Sequence, residues 1–569
     1  MKAQCPYKTT EENMVHIQTS SSDFPQFIED GSYYVDKTLL VQEIVEQNRQ
    51  VVLYTRPRRF GKSLNQNMLQ AFFDVQTAEK YRHLFDGLAI SRNKKLCEKH
   101  QGKYPVIKLS FASVTMNAFE DNRRQLATIL KRTLWLFFRI IKSEETTIFP
   151  QHDDLCKALQ STEPVFDPNL LLTLTEFLHL YYGQKCIVLL DEYDVPMQTA
   201  FLNGYYDEML DIMRPMMTST FKDNPNLRWG IITGCLKIAK ESIFTGFNNP
   251  YVNTILSSRQ SKEHFGFTQQ EVDELLRAAE LSDCNGIVKQ WYDGYLFGRN
   301  EVYNPFSVVN FVANTLDAGE PQPRTYWGNS SGNDIIRRLL LLLPASGVRD
   351  NFQALIDGKS ITLPITENTV FKDMDNDHAT LWSTMLFTGY LKPAEPVPAD
   401  VTSASIVLPN NEVRNLIERI IISWLREDFH PQVTLLMEAL LKGDAAAAQN
   451  ELCRNLRETI SCRDFLEDYY HGFLTGLLST ASSKYRIRSN LEIGNGYPDI
   501  QIGAIDYSTA AVLEVKHTSD EAKLTAVLNE AEKQFRSRHY DDIRHDYESF
   551  HGYAVAFCRK QCLVKRIEE

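Results

Sequence analysis

The residues near the N-terminus whose types suit chemistry lie in a short loop after an apolar, β-branched segment. Residues 51–55 read Val-Val-Leu-Tyr-Thr, a basic stretch follows, and Gly61, Lys62 and Ser63 lead into a helical pattern. Backbone N–H groups of such a loop and the positive end of the following helix dipole can cradle a polyphosphate. Lys62 would then reach the β- and γ-phosphates, and the Ser63 hydroxyl would hold Mg²⁺. The predicted nucleotide-binding residues of this loop are Arg58, Arg59, Phe60, Gly61, Lys62 and Ser63.

One position departs from the usual pattern of a phosphate-binding loop. In G-x-x-x-x-G-K-[ST] the first glycine falls at position 56, which is Arg56 in this chain. The loop must therefore bend without the freedom that glycine has at positive φ. The alternative interpretation is a chance Gly-Lys-Ser after a strand.

An apolar run that ends in two acids supports the nucleotide-binding interpretation. Residues 186–190 are apolar, and Asp191 and Glu192 follow directly. In a phosphate-loop ATPase the first acid lies beside Mg²⁺ and the second polarises the attacking water. Thr233 ends a later strand pattern, where it could contact the γ-phosphate or that water. The alternatives are a buried strand whose acids cap the next turn, and a strand-end hydroxyl that satisfies backbone groups.

These motifs lie within an alternation of strand and helix patterns, which predicts an α/β fold. The strand patterns cover residues 51–55, 106–111, 186–190 and 229–233, with helical patterns such as 122–142 and 169–182 between them. Such alternation predicts a parallel sheet with ligand loops at the carboxyl ends of its strands. We expect a P-loop ATPase core at 1–265 and a helical lid or connector at 266–405.

Composition narrows the class of protein. The chain has 569 residues, of which 43% are hydrophobic and 24% charged, which is ordinary for a globular protein of two to four domains. The net charge of −12 argues against a uniformly basic nucleic-acid coat. The ten cysteines include no C-x₂-C pair, which argues against a zinc site. Scattered cysteines and the lack of a signal-peptide pattern favour a reducing, cytoplasmic location. No apolar run approaches the ~20 residues that span a bilayer, so we expect no membrane partner.

A third set of chemical residues lies near the C-terminus. Asp499 belongs to the strand pattern 496–502, and Glu514 and Lys516 belong to the strand pattern 511–516, so the two patterns read as a hairpin. Glu514 and Lys516 are two apart and share a face, with Asp499 near Glu514 across the hairpin. The two carboxylates could bind Mg²⁺, or Mn²⁺, and the lysine could orient water or stabilise charge in phosphodiester hydrolysis. The alternative is a solvated strand face, since Glu-Val-Lys is common there.

Residues around this hairpin extend the candidate site. Glu492 offers a further acid, and Glu467 and His471 stand four apart on one predicted helix face. Taken alone, His471 is more typical of a core histidine than of a catalyst. Residues 532–540, which include Gln534, read as a basic helix suited to phosphate contacts.

The N-terminal sequence resembles the predicted AAA-ATPase family of uncharacterised bacterial proteins. The segments that carry the resemblance are 34–38, 55–63, 190–196, 231–234 and 240–244. The family's loop usually begins Arg-Pro-Arg-Arg, so the resemblance implies that the missing first glycine is a family trait.

The C-terminal sequence resembles the PD-(D/E)XK nuclease domain that is often fused to domains of that family. The matching segments are 469–473, 489–494 and 514–516. Where that domain commonly has Gly-Arg, this chain has Gly496-Tyr497-Pro498, so we expect the loss of one basic phosphate contact. The implied fold is a restriction-endonuclease-like α/β domain at 406–569.

Together the resemblances imply an ATP-hydrolysing module joined to a metal-dependent nuclease that cuts nucleic acid, DNA rather than RNA, in defence against foreign DNA or in mobile-element biology. AAA-type proteins often assemble so that a neighbour's arginine completes the site, so a homo-oligomer is a further expectation. The sequence does not identify such an arginine. Two alternatives stay open: a nucleotide-dependent switch whose C-terminal domain binds nucleic acid or a protein without cleavage, and a nuclease directed at RNA.

Overall fold

The computed structural model describes residues 15–238, 250–256, 263–329, 351–352, 354–367, 378–397, 402–459, 470, 474, 477–478, 485–489, 496, 498–559 and 561–568. Contacts between residues divide the chain into two compact units, Met1–Leu416 and Ile417–Glu569. The predicted divisions at 265/266 and 405/406 stay predictions.

The helices of the described residues are α1 (Phe24–Glu29), α2 (Leu39–Gln47), α3 (Lys62–Phe73), α4 (Ala78–Tyr81), α5 (Lys94–His100), α6 (Phe119–Trp135), α7 (Phe138–Ile141), α8 (His152–Gln160), α9 (Leu170–Tyr182), α10 (Val195–Asn203), α11 (Tyr206–Phe221), α12 (Gln269–Ala278), α13 (Asn285–Tyr292), α14 (Pro305–Ala318), α15 (His378–Thr388), α16 (Asn411–Lys442), α17 (Ala445–Thr459) and α18 (Leu524–Ser537). None of the helices in these described ranges is long and apolar enough to cross a membrane.

The strands of the described residues are β1 (Val51–Thr55), β2 (Val106–Ser110), β3 (Cys186–Asp191), β4 (Leu227–Gly234), β5 (Tyr251–Asn253), β6 (Tyr295–Phe297), β7 (Asn300–Val302), β8 (Ile361–Pro364), β9 (Lys392–Pro393), β10 (Ser403–Val407), β11 (Tyr485–Ser489), β12 (Ile500–Ala504), β13 (Thr509–His517), β14 (Ser549–Cys558) and β15 (Gln561–Ile567).

A five-stranded parallel sheet in the order β2-β3-β4-β1-β5 forms the centre of the first unit. Every residue of β1 and β3 is buried, as expected for parallel strands that helices cover. Helices α3, α6 and α9 pack against the sheet. Because the strands are parallel, the carboxyl ends of β1, β3 and β4 meet at one edge, which confirms the predicted α/β fold and gathers the chemical residues there.

The segment predicted to be a helical lid, 266–405, contains helices α12 to α15 but also two small antiparallel sheets. Strands β6 and β7 form a hairpin, and β8, β10 and β9 form a three-stranded sheet. The sequence pattern predicts a helical lid or connector here, and the structure adds these short strands to its helices; the role as a lid stays a prediction. Strands of two to four residues, such as β6, β7, β8 and β9, are too short to give a readable alternation of apolar and polar positions.

A five-stranded mixed sheet in the order β11-β12-β13-β14-β15 forms the second unit. Its core side chains on β14, Tyr553, Val555 and Phe557, pack with residues of α16 and α17. The alternate residues Ala554 and Ala556 pack against α18. Since successive strand residues point to opposite faces, helices cover this sheet on both faces.

Candidate functional site

The loop between β1 and α3 wraps the Lys62 side chain. Arg59 and Gly61 have φ angles of 67° and 77°, so the left-handed turns lie after position 56 rather than at it. The Lys62 ammonium donates to the carbonyl oxygens of Arg56 (3.0 Å) and Pro57 (2.8 Å). Helix α3 begins at Lys62, with Gly61 as its N-cap. The N–H groups of its first turn have no partner within the helix and can bind an anion, as a phosphate-binding loop requires.

Arg56 has a structural role that its position in the motif did not predict. Its side chain is 1% exposed, and its guanidinium donates to the Thr55 carbonyl (2.8 Å) and to the Asn253 carbonyl and side-chain oxygens (2.8 and 2.7 Å). The rings of Phe265 and Phe297 lie 5.1 and 5.2 Å from it. Burial lowers the pKa of Arg56 to about 10, so the group stays charged at neutral pH and ties β5 to the phosphate loop.

Asp191 brings two hydroxyl groups together at the end of β3. The Ser63 hydroxyl donates to Asp191 Oδ2 at 2.5 Å, and the Thr233 hydroxyl donates to Asp191 Oδ1 at 2.6 Å. Strand β4 lies between β1 and β3, which is how Thr233 reaches this point. The amide of Gln66, which the sequence did not single out, donates to the Thr233 hydroxyl at 3.2 Å. These oxygen donors are the kind that Mg²⁺ prefers.

Glu192 lies beside this group in an unusual backbone conformation. Its φ is 52°, in the left-handed region that non-glycine residues seldom adopt, and its N–H donates to Asp191 Oδ1 at 3.0 Å. Burial and then the charge of Asp191 raise the pKa of Glu192, while Lys62 and Arg58 oppose that rise. A carboxyl with a raised pKa beside a phosphate loop suits a group that accepts a proton from water.

Asp194 is a buried carboxylate that the sequence had not assigned a role. It is 1% exposed, and its Oδ2 accepts the N–H groups of Cys235 and Leu236, both at 3.0 Å, and the Gln198 amide at 2.7 Å. Asp194 therefore fixes the turn that follows Thr233. Its position two residues after Glu192 was the sequence feature that could have marked it as part of the site.

A cleft of about 1050 Å³ opens beside the phosphate loop. Its polar wall holds Lys62, Ser63 and Glu192. The apolar part of its lining includes Tyr33, Val35, Phe267, Leu275 and Val309.

Two of the predicted loop residues face aromatic neighbours. Phe60 is buried, with its ring 4.9 Å from that of Tyr295 and 5.2 Å from that of Phe297, so its side chain serves the core. The exposed Arg59 places its guanidinium 4.4 Å from the centre of the Phe306 ring.

In the second unit, the register of β12 and β13 assembles the carboxylate set. Gln501 pairs with Val512 and Ile500 with Leu513, which places Asp499 opposite Glu514. Asp499 Oδ2 accepts the Val515 N–H at 2.7 Å, and Lys516 Nζ lies 3.6 Å from Glu514 Oε1. Glu514 is 1% exposed and Lys516 is half-buried. The hairpin and the shared face are as the sequence predicts; the catalytic and metal-binding roles stay predictions.

Side chains that the sequence did not assign complete this face. Gln501 alternates with Asp499 and so shares its face; its buried Oε1 has no hydrogen-bond partner within the described part of the chain. The Tyr540 hydroxyl interacts with Gln534, and burial raises the pKa of Tyr540, as do the charges of Glu514 and Asp499. The i, i+2 spacing of Asp499 and Gln501 could have placed Gln501 on this face from the sequence. No sequence pattern indicates that Tyr540 lies near it.

The predicted basic helix at 532–540 needs correction. Helix α18 ends at Ser537, and His539 has a φ of 55°, which is incompatible with a continuing helix. Arg536 and Lys565 both pair with Glu532, at 3.2 and 2.6 Å, so part of the positive charge is neutralised within the unit. Glu467, His471 and Glu492 lie outside the described residues.

Two family models match separate parts of the chain. Residues 19–244 match the model of the predicted AAA-ATPase family, and residues 465–567 match that of the PD-(D/E)XK nuclease superfamily. The chain therefore joins a domain of the predicted AAA-ATPase family to a domain of the PD-(D/E)XK nuclease superfamily, which confirms both resemblances.

An uncharacterized protein in the vnfD 5′ region of Azotobacter chroococcum mcd 1 is 27% identical over 282 residues, which cover 49% of this chain and 48% of that protein. The chain thus spans about half the length of the curated relative it matches. Among solved structures, a Walker-type ATPase of Pyrococcus abyssi is 14% identical with a TM-score of 0.37, covering 68% of this chain and 97% of that one. The ORC2 protein of Aeropyrum pernix is 11% identical with a TM-score of 0.23, covering 72% and 97%.

Proposed function

We propose that the first unit binds and hydrolyses ATP. The observation that carries this proposal is the meeting of Ser63 and Asp191 at 2.5 Å, below a phosphate loop and beside Glu192. Lys62 neutralises the β- and γ-phosphates, and Ser63 and Asp191 hold Mg²⁺. Mg²⁺, when bound, supplies charge neutralisation at the transferring phosphoryl group. Glu192 orients the attacking water and accepts its proton.

The apolar part of the cleft is the place for the nucleobase. Ligand sites are largely apolar with a few convergent polar groups, and Tyr33 and Phe267 supply ring surface to the lining. The cleft volume of about 1050 Å³ is ample for a nucleoside triphosphate.

The second unit, in this proposal, hydrolyses phosphodiester bonds of nucleic acid with Mg²⁺ or Mn²⁺. Support comes from the strand register that sets Asp499 opposite Glu514, with Lys516 on the same face. Asp499 and Glu514 hold the metal, which supplies an activated water and Lewis acidity when bound. Lys516 stabilises negative charge that develops on the phosphate. From the sequence, Glu492 contributes a further acid.

The nucleotide state of the first unit regulates cutting by the second. We take DNA rather than RNA as the preferred substrate and a cytoplasmic defence against foreign DNA as the setting. The sequence resemblance supports both.

Cleavage assays with matched variants test this function. The full chain is incubated with plasmid DNA, linear DNA and RNA in Mg²⁺ or Mn²⁺, as wild type, Glu514→Gln and the control Glu530→Gln, whose side chain is exposed on α18. We expect wild type and the control to cut and Glu514→Gln to be at least ~100-fold slower. In parallel, fluorescent ATP should bind wild type and Lys94→Ala but not Lys62→Ala. ATP binding without cutting of any substrate would replace the nuclease by a nucleotide-dependent switch.

A further inference from the structure

Arg58 belongs to the wall of the nucleotide cleft. It lines the cleft together with Lys62 and Glu192, and its Nη2 donates to Gln198 Oε1 at 3.4 Å. Its guanidinium also interacts with the Cys235 thiol, whose sulfur lies 3.6 Å from Lys62 Nζ. The two cations therefore converge on the same thiol.

Both cations border the same cleft as one carboxylate. Arg58, Lys62 and Glu192 all line that cleft. The space that these three side chains border is where a terminal phosphoryl group would stand between its lysine and the water held by the glutamate.

The backbone of Arg58 is held in place from the middle region. The Trp327 indole N–H donates to the Arg58 carbonyl at 3.2 Å. The backbone N–H groups of Tyr326 and Trp327 donate to Glu412 Oε1 at 2.7 and 2.8 Å, and Glu412 is fully buried. These contacts hold the Arg58 backbone, and the bond to Gln198 holds its guanidinium. Transition-state stabilisation requires a cation that is positioned before the reaction begins.

We propose that Arg58 is the arginine that stabilises the transferring phosphoryl group, and that it acts within its own chain, so that one chain holds a complete ATPase site. This rests on the proposed ATPase function. In the reaction, a water oxygen bonds to the γ-phosphorus and the bond from that phosphorus to the bridging oxygen breaks. ADP leaves with the bonding electron pair, and the proton of the water passes to Glu192. Arg58 donates to the phosphoryl oxygens as their charge changes.

The first test compares Arg58→Ala with Arg139→Ala, an exposed arginine on α7 that does not line the cleft. Removal of an arginine that serves the transition state costs about 10³-fold or more in kcat. We expect that loss in Arg58→Ala, with fluorescent-ATP affinity changed less than about fivefold, and no comparable loss in Arg139→Ala. Arg58→Gln serves as a second variant should Arg58→Ala fail to fold. Wild-type hydrolysis matched by a folded Arg58 variant would overturn the assignment of Arg58.

The second test mixes two inactive variants, Arg58→Ala and Glu192→Gln, co-expressed in one cell and purified together. If Arg58 acts within its own chain, the mixture stays as inactive as either variant, and wild-type activity per chain does not depend on protein concentration. Recovery of a quarter or more of wild-type activity would mean that the arginine comes from a neighbour and would overturn the proposal. A wild type that binds ATP without hydrolysing it would instead contradict the proposed function.

Discussion

Ser63 Oγ and Asp191 Oδ2 lie 2.5 Å apart although 128 residues separate them in the chain. The contact joins the first turn of α3 to the end of β3, and Thr233 binds the other oxygen of the same carboxylate at 2.6 Å. Asp191 is thus fixed by two hydroxyl groups and reaches the position where a phosphate loop holds its cation.

Replacing Asp191 by asparagine tests whether this carboxylate holds Mg²⁺. The asparagine keeps the shape and can still bond to both hydroxyls, so we expect the variant to fold. Without the negative charge, the increase in ATP affinity that Mg²⁺ produces should disappear, and kcat should fall at least ~100-fold. Titration of fluorescent ATP with Mg²⁺ and with EDTA measures the effect, and the exposed Asp211→Asn is the control. An unchanged Mg²⁺ dependence would remove Asp191 from the metal site.

Glu192 should give the ATPase a characteristic dependence on pH. Its pKa is raised by burial and by Asp191, and only the deprotonated form accepts a proton. The rate should therefore fall on acidification, and the fall should begin at a higher pH than for an exposed glutamate. Measuring kcat from pH 5 to 9 checks this. Glu192→Gln should bind ATP yet lose about 10²-fold or more of the rate; a Glu192→Gln enzyme with wild-type kcat would contradict the assignment.

Arg56 should matter for stability rather than for chemistry. Arg56→Met removes the donors to Thr55 and Asn253 and leaves buried carbonyl oxygens unsatisfied, each worth about 1–3 kcal/mol. We expect the free energy of unfolding to drop by roughly 2–4 kcal/mol in total. The exposed Arg59→Met should change it by no more than about 0.5 kcal/mol. Urea unfolding at pH 7 measures both, and equal effects of the two substitutions would contradict the structural role.

Glu412 should make the stability of the first unit depend on pH. Burial raises its pKa to about 7 from 4.5, so the folded chain holds a proton that the unfolded chain has released. Its contribution is fully present below pH 4.5 and is lost as the pH rises through 7.

Glu412→Gln stays neutral and keeps an oxygen for the N–H groups of Tyr326 and Trp327. Between pH 5 and 8 wild type should therefore lose about 2.5 kcal/mol more than this variant. Thermal unfolding across that range, with the exposed Glu395→Gln as control, measures the difference. If the stability of wild type and of Glu412→Gln changed with pH in the same way, the assigned role of Glu412 would be contradicted.

The sequence predicted those features that a few adjacent residues encode. The apolar runs gave β1, β3 and β4 to within two residues at each end, and the spacing of Glu514 and Lys516 gave their shared face. Contacts between distant segments could not be read in this way. Arg56 meets Asn253 across 197 residues, and the place of Tyr540 near Glu514 depends on where α18 ends. Such contacts are set by tertiary packing, which overrides local preference.

The most direct test of the account is DNA cleavage by the full chain with and without ATP. Wild type, Lys62→Ala and Glu192→Gln are compared in Mg²⁺, with Glu514→Gln as the blank. We predict that ATP changes the wild-type cutting rate at least ~10-fold. Lys62→Ala should cut at the ATP-free rate with or without ATP. Glu192→Gln binds ATP without hydrolysing it, so with ATP it should keep cutting at the rate of the ATP-bound wild type. Equal rates with and without ATP in wild type and in both variants would contradict the claim that the nucleotide site regulates the nuclease.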